Sequence, residues 1–369
     1  MNEELYQSRG LNFLKIVMMI CVVGLHFLSH GNYLLYEKPF SKTWGGVWII
    51  RSFIMVCVNC FVMVTGYYLC EKKIKITKIL RLMDGMLFYS VIISIIIWCL
   101  KFSDISVIQI VNTIFPFMTG SYWFMSCYIV LYLIAPLINI VIRSITFEMF
   151  TRYIFLCVML FSIIPTMFSS FSGYSIDRTN GFGVMWFVVL YLTGAWLRKT
   201  NFKFKKKYAA VGVYIGASLC TFMITTSVKF FAMSGVAPSY INYELDYIGY
   251  NYFSVYIASI GCFLLFKNLR ISKQYEKIIM SISSLTLGVY LISEHPSLRN
   301  ILFTDVFHCD QYIGSLWFLV AFILVVFTVF SVCCMIEFVR KKYIEKHCCI
   351  IQKSYIKISS KFIAGGRMF

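Results

Sequence analysis

Several ionisable side chains lie inside apolar segments of this sequence, where they could carry out acid–base chemistry. Lys15 and His26 belong to the first apolar run, whereas Glu294 and His295 end a later one. Charged groups are costly in lipid, so each of these residues is a candidate for function. A neutral imidazole can take a proton from a hydroxyl group, and a carboxylate can orient that imidazole. His26 and Glu294 are therefore candidates for acid–base chemistry.

The spacing of Lys15 and His26 places both residues on one face of a helix. Eleven residues make about three helical turns, which separate the two side chains by roughly 16 Å along the axis. Structural roles stay open for both: Lys15 could extend its ammonium group to the membrane interface, and His26 could join two helices by a hydrogen bond. Glu294 and His295 precede Pro296, so they could also form a hydrated helix end.

Three more residues near the outer level of the membrane are candidates for substrate binding. Arg51 lies one turn into the second apolar segment and could hold an anionic or sugar group, or pair with a carboxylate such as Glu294. Tyr122 and Trp123 open the fourth segment, where an interfacial aromatic belt is the alternative interpretation. Together with His295, these residues form the predicted substrate-binding set.

Helices that cross a membrane must position these side chains. Hydrophobic residues make up 60% of the 369 residues and charged residues 14%, with a mean hydropathy of +0.78. A soluble domain carries about 25% charged residues, so this composition fits lipid better than water. Long apolar runs without alternation predict an all-α, polytopic transmembrane helical bundle. We expect about ten spans, at residues 11–29, 47–69, 83–101, 122–142, 153–171, 184–197, 208–232, 247–266, 279–298 and 313–338.

The basic residues divide unevenly between the two sides of these spans. Of 34 Lys and Arg residues, 26 fall in the segments that share a side with the N-terminus and the tail, and four fall in the opposite loops. Cytoplasmic loops carry the basic excess, which predicts cytoplasmic N- and C-termini. We expect a transmembrane domain at residues 1–339 and a basic cytoplasmic tail at residues 340–369 that lies on anionic lipid. The net charge of +18 therefore indicates a membrane and not nucleic acid as the partner.

The 14 cysteines of the chain lie mostly inside apolar runs. Cys57 and Cys60 form a C-x-x-C pair, but neither a second pair nor a histidine pair follows at the spacing of zinc ligands. Cys309 is alone in its loop. The sequence therefore predicts no metal site and no disulfide framework.

Four short blocks occur in order along the chain: residues 9–15 with His26, residues 58–67 with the basic stretch 72–81, residues 122–139, and residues 287–296. The first is Arg-Gly-Leu-Asn-Phe-Leu-Lys, the second ends in Thr-Gly-Tyr, the third begins with Tyr-Trp-Phe, and the fourth is Leu-Gly-Val-Tyr-Leu-Ile before Glu-His-Pro. Together they resemble the membrane acyltransferase-3 family of bacterial O-acyltransferases. The sequence departs from the family pattern at Asn12, Thr65 and Ser293, where Asp, Ser and His are usual.

The resemblance implies an integral membrane O-acyltransferase of the bacterial cytoplasmic membrane, with His26 as the catalytic histidine. The donor substrate would be acetyl-CoA or another acyl-CoA, and no cofactor would be bound permanently. The acceptor would be a sugar hydroxyl of a lipid-linked or exported cell-envelope polysaccharide on the outer face. Contacts to the phosphates of CoA are expected from five basic residues: Arg9, Lys15, Lys72, Lys73 and Arg81.

On this hypothesis, neutral His26 takes the proton of the acceptor hydroxyl as its oxygen attacks the thioester, and Glu294 orients the imidazole ring. A covalent acyl-histidine intermediate is the alternative course. A different class of function also fits buried charges, namely a transporter or flippase for a polysaccharide or a lipid. The sequence has no internal repeat of the kind that many transporters contain, which favours the acyltransferase.

Overall fold

The computed structural model describes residues 2–72, 75–102, 105–172, 179–206, 208–235 and 249–345. These residues form helices joined by short loops, and no strand occurs among them, which confirms the predicted all-α bundle. The α-helices are α1 (Asn2–His30), α2 (Tyr33–Tyr36), α3 (Trp44–Ile54), α4 (Val56–Leu69), α5 (Ile76–Cys99), α6 (Val107–Ile114), α7 (Trp123–Ser144), α8 (Phe147–Val158), α9 (Ile164–Ser172), α10 (Val184–Thr200), α11 (Ala209–Met233), α12 (Phe253–Lys267), α13 (Glu276–Ser293) and α14 (Phe318–Arg340).

Eight helical segments in the described residues are long and apolar enough to cross a membrane: Ser8–His30, Trp44–Leu69, Ile76–Cys99, Trp123–Ser144, Phe147–Phe168, Ala209–Met233, Lys273–Ser293 and Phe318–Ile344. Each overlaps one predicted span, although the ends differ by up to seven residues. The other two predicted spans, 184–197 and 247–266, correspond to α10 and α12, which have only 17 and 15 residues. At 1.5 Å per residue they extend about 26 and 22 Å, which is less than the roughly 30 Å of a hydrocarbon core.

The two short helices pack inside the bundle, where neighbouring protein replaces lipid. The most extensive helix pair is α4 with α10, and glycines lie where the two backbones meet. A Cβ atom at Gly66 would collide with the carbonyl oxygen of Tyr191, and one at Gly194 would collide with that of Met63. Small residues at such crossings let membrane helices approach closely. The α4–α10 crossing therefore fixes the position of α4, which carries one wall of the site described below.

The two sets of loops that the charge pattern separates lie at opposite ends of the bundle. At the end predicted to be cytoplasmic, Arg198 Nε donates to Glu71 Oε2 across 3.0 Å. At the other end, the hydroxyl of Tyr33 donates to the backbone carbonyl of Cys309 across 2.8 Å. Each of these contacts joins two segments that the charge pattern assigns to the same side, while the alternation of the loops and the direction of the bundle in the membrane stay predictions from that pattern.

Two further predictions concern Cys309 and the tail. Cys309 is a free and fully buried thiol, and burial raises its pKa to about 12, so it is an unreactive packing residue. Helix α14 ends at Arg340, which forms an ion pair of 2.6 Å with Glu337, and the start of a separate tail at this residue stays a prediction. Residues 346–369, which make up most of the predicted tail, lie outside the described residues.

Candidate active site

A cavity of about 360 Å³ lies inside the bundle, between α1, α4, α7 and α13. Helix α1 lines it from Lys15 to His30, with side chains that recur every one to four residues. One face of α1 therefore forms a wall roughly 22 Å long. The cavity connects the level of Lys15, near the end predicted to be cytoplasmic, with the level of His26 near the opposite end. Both of these predicted residues face the cavity.

His26 lies at the wall of the cavity, where α1 contacts the end of α13. Its Nε2 atom is 3.0 Å from Oε2 of Glu294, and its Nδ1 atom is 3.1 Å from the hydroxyl oxygen of Ser293. Helix α13 ends at Ser293, and Glu294 caps it with a backbone N–H donated to the carbonyl of Tyr290. The end of α13 thus directs two consecutive side chains at one imidazole.

Glu294 also binds a second imidazole, that of His30. The Nε2 atom of His30 is 3.0 Å from the same Oε2 atom, and Arg299 Nη1 is 2.8 Å from Oε1. Because a guanidinium group is always charged, this contact favours the ionised carboxylate. His30 was not among the predicted site residues. The sequence does contain a pattern that could have identified it: His30 lies four residues after His26, so both side chains lie on one face of the helix.

The carboxylate determines which nitrogen of each histidine is basic. An ionised carboxylate accepts hydrogen bonds and donates none, so Nε2 of both His26 and His30 carries the hydrogen. The basic nitrogen is then Nδ1 in each ring. In His26 this atom accepts a hydrogen bond from the hydroxyl of Ser293. A ring held in this way can take up a proton at Nδ1, and Glu294 stabilises the resulting imidazolium.

Among the predicted substrate-binding residues, Arg51 and Trp123 line the cavity. The guanidinium group of Arg51 lies 5.0 Å from the centre of the Trp48 ring, and Trp123 stacks on Tyr250 with 5.7 Å between ring centres. Tyr122 lies behind the wall and is completely buried, and its hydroxyl group has no hydrogen-bond partner among the described residues. Arg51 and Trp123 can therefore contact a substrate in the cavity, whereas Tyr122 supports the wall.

His295 does not line the cavity and points towards α5 instead. Its Nε2 atom is 3.2 Å from the backbone carbonyl of Ser90, and its Nδ1 accepts from the backbone N–H of Ser297 across 3.2 Å. Only 1% of its surface is exposed. The geometry gives His295 a role in joining α13 to α5, and a contact with substrate would need a rearrangement of both helices.

The predicted phosphate ligands are spread over different environments. Lys15 lines the cavity. Arg9 is buried outside it, where Nη1 donates to the backbone carbonyl of Ile271 across 2.7 Å and Nε lies 3.6 Å from Glu276. Arg9 thereby ties the start of α1 to the start of α13.

The other predicted phosphate ligands lie before α5, at positions 72 and 73, and within its second turn, at Arg81. Lys72 and Arg81 are exposed, and the ammonium group of Lys72 is 5.5 Å from the centre of the Tyr68 ring. Lys73 lies outside the described residues. Contacts of these three cations with CoA stay predictions, and they would involve the part of CoA that remains outside the cavity.

The helical membrane bundle, with a His–carboxylate pair at the wall of an internal cavity, has the features of a membrane enzyme that could transfer a group between two substrates. Residues 8–336 match the acyltransferase-3 family, whose model describes an acyltransferase domain. Since the match covers most of the chain, this protein belongs to the acyltransferase-3 family and is a multi-pass membrane acyltransferase. Neither a curated protein nor a solved structure matches the chain.

Proposed function

We propose that this protein transfers an acyl group, most simply acetyl, from acyl-CoA to a hydroxyl group of a cell-envelope or exported polysaccharide at the bacterial cytoplasmic membrane. The observation that supports this proposal is the placement of His26 on the cavity wall, with Glu294 3.0 Å from its Nε2 atom. Hydroxyl acylation needs a base, and a histidine oriented by a carboxylate is the usual one. A His–carboxylate pair alone would also suit a proton relay in a transporter, and membership of the acyltransferase-3 family favours the acyltransferase.

In the proposed reaction, the acceptor hydroxyl attacks the carbonyl carbon of the thioester while its proton passes to Nδ1 of His26 through the hydroxyl of Ser293, which donates to that atom. The tetrahedral intermediate collapses, the C–S bond breaks, and CoA leaves as a thiolate. Thiols are far more acidic than alcohols, with a pKa of about 8.5 for a cysteine side chain, so this thiolate is a good leaving group, and it takes the proton back from His26. The imidazole and Glu294 are then restored to their starting state.

The donor and the acceptor approach the centre from opposite ends of the cavity. Lys15 marks the end predicted to be cytoplasmic, where acyl-CoA is available, and its ammonium group suits a phosphate as a point charge. Arg51 and Trp123 line the other end, which suits a polar acceptor. The lining of the cavity is otherwise mainly apolar, so the acyl chain and the thioester would lie in a largely dry region.

The proposal is tested by deleting the gene in its bacterium and determining glycan acylation by mass spectrometry and NMR. We expect one envelope or exported polysaccharide to lose an O-acyl group, and the wild-type gene to restore it. Membranes that contain the protein should also transfer label from acetyl-CoA to the deacylated glycan. If no glycan changes on deletion and no label is transferred from acetyl-CoA or longer acyl-CoA, the proposed substrates are wrong.

Replacing Lys15 by methionine is expected to raise the KM for acyl-CoA roughly tenfold to a hundredfold, because one charge-assisted contact with phosphate is lost. The value of kcat should change much less, because Lys15 is about three helical turns from His26. Steady-state kinetics with purified protein measures both values. Lys15→Arg should retain a low KM, and Lys38→Met, which removes an exposed lysine at the opposite end, is the matched control. An unchanged KM in Lys15→Met would exclude this contact.

A further inference from the structure

Two histidines of α1 share one carboxylate, and only one of them is accounted for by the proposed reaction. His26 and His30 each direct Nε2 at Oε2 of Glu294, at 3.0 Å in both cases. Their ring centres are 5.6 Å apart, and both rings line the cavity. His30 lies one helical turn further from Lys15 than His26 does, or about 6 Å along the axis. A substrate that enters from the end opposite Lys15 therefore meets His30 before His26.

The basic nitrogen of His30 differs from that of His26 in its surroundings. Nδ1 of His26 is occupied by the hydroxyl of Ser293. Within the part of the chain that the structure describes, Nδ1 of His30 has no hydrogen-bond partner. Since Nε2–H of His30 is bound to Glu294, its Nδ1 is left as a pure hydrogen-bond acceptor. Its natural partner is a ligand that donates a hydrogen bond, such as a hydroxyl group.

We propose that His30 is an acceptor-binding residue whose Nδ1 accepts a hydrogen bond from a second hydroxyl of the acceptor, next to the hydroxyl that is acylated. The acceptor is therefore a polyhydroxylated compound, and a monohydroxy alcohol is a poor substitute. His30 also selects which hydroxyl reaches His26, because one fixed hydroxyl orients the ring that carries the other. This inference rests on the proposed function.

The wall near His30 fits the same class of ligand. Trp123, Phe182 and Tyr250 line this end of the cavity and contact one another, with 4.6 Å between the ring centres of Trp123 and Phe182 and 4.9 Å between those of Phe182 and Tyr250. A sugar ring has apolar faces of C–H groups and a polar edge of hydroxyls. An aromatic wall covers such a face, and a few placed polar groups fix its orientation.

Two substitutions of His30 separate a contact with the acceptor from an effect through Glu294. Glutamine can place an amide N–H where Nε2–H of the histidine lies, but it has no acceptor near the position of Nδ1. Asparagine can place its amide oxygen near the position of Nδ1, but it is too short to reach Glu294. His30→Gln therefore keeps the bond to Glu294 and loses the acceptor contact, and His30→Asn does the reverse.

The test measures transfer from acetyl-CoA to a glycan acceptor with purified wild-type protein and both variants. We expect His30→Gln to raise the KM for the acceptor roughly tenfold, with an unchanged KM for acetyl-CoA, and His30→Asn to keep the acceptor KM within about threefold. NMR of the product should show acyl groups spread over neighbouring hydroxyls with His30→Gln and one position with wild type. His308→Asn is the matched control, since His308 is exposed in the loop before α14.

The outcomes distinguish this inference from the proposed function. If His30→Gln retains the acceptor KM and the single acylation position while His30→Asn is impaired, His30 acts only through Glu294 and the inference is wrong. A monohydroxy alcohol acylated as efficiently as the glycan would overturn it as well. If the wild-type protein acylates no acceptor at all, the proposed function fails and the inference fails with it.

Discussion

Replacing His26 by alanine is expected to lower kcat for acyl transfer about 10²–10⁴-fold, because the acceptor hydroxyl loses the base that the proposed reaction assigns to its proton. The KM for acyl-CoA should remain close to the wild-type value, because the imidazole lies about three turns away from Lys15. A large decrease in kcat with a constant donor KM is the signature of a group that acts mainly in the transition state. Steady-state kinetics on purified protein, together with glycan acylation in a complemented deletion strain, measures this effect.

The control for this prediction must exclude a folding defect. His26 makes contacts of 3.0 Å and 3.1 Å with Glu294 and Ser293, so its removal leaves two buried polar groups less well paired. Thermal unfolding and gel filtration should show that His26→Ala and wild type are folded to the same extent. His308→Asn removes an exposed histidine and should keep full activity. If folded His26→Ala retained a third or more of the wild-type kcat, His26 would not be the base.

The sequence predicts the position of His26 well, because the relevant information is local. An apolar run indicates a helix, and the eleven-residue spacing from Lys15 indicates a common face. The structure places both residues on the cavity wall. Glu294, the partner of His30, lies 264 positions away in the sequence, so no local pattern predicts this contact. Only the packing of α13 on α1 shows that one carboxylate serves two imidazoles.

Glu294 and His295 show why adjacent residues are hard to distinguish from sequence. Both end the same apolar run, at the same expected depth. Consecutive residues at a helix end point about 100° apart, so one can face the cavity while the other faces away. Glu294 contacts His26, whereas His295 contacts the backbone of α5 at Ser90. The direction of each side chain depends on where α13 ends and how it is rotated, and neither is encoded in the local pattern of hydrophobicity.

The basic residues illustrate a similar limit. An excess of Lys and Arg identifies the side of the membrane on which a loop lies, but it does not identify a binding groove. Arg9 and Lys15 are both predicted phosphate ligands. In the structure, Lys15 lines the cavity, whereas Arg9 donates to the backbone carbonyl of Ile271. One of these two cations thus faces the cavity, whereas the other joins the start of α1 to the start of α13.

Replacing Gly66 by valine is expected to destabilise the protein by more than the 1–3 kcal/mol typical of overpacking. A Cβ atom at Gly66 would collide with the backbone of Tyr191 on α10, and backbone cannot move aside as the tip of a flexible side chain can. The same close approach occurs on the other helix, because a Cβ atom at Gly194 of α10 would collide with the backbone of α4 at Met63. Separation of the two helices would also displace Thr65, which lines the cavity. We therefore expect a lower apparent melting temperature in detergent together with a lower specific activity.

The matched control is the same substitution at Gly216 of α11. A Cβ atom there meets nothing within 4 Å, and the residue is exposed on the outer surface of the bundle, where valine is accepted by lipid. Both variants replace glycine by valine and differ only in whether the backbone of a second helix lies close to the substituted residue. Gly216→Val should therefore keep the melting temperature and the activity of wild type. If Gly66→Val and Gly216→Val unfolded at the same temperature, the close α4–α10 crossing would not be the contact that holds the cavity wall in place.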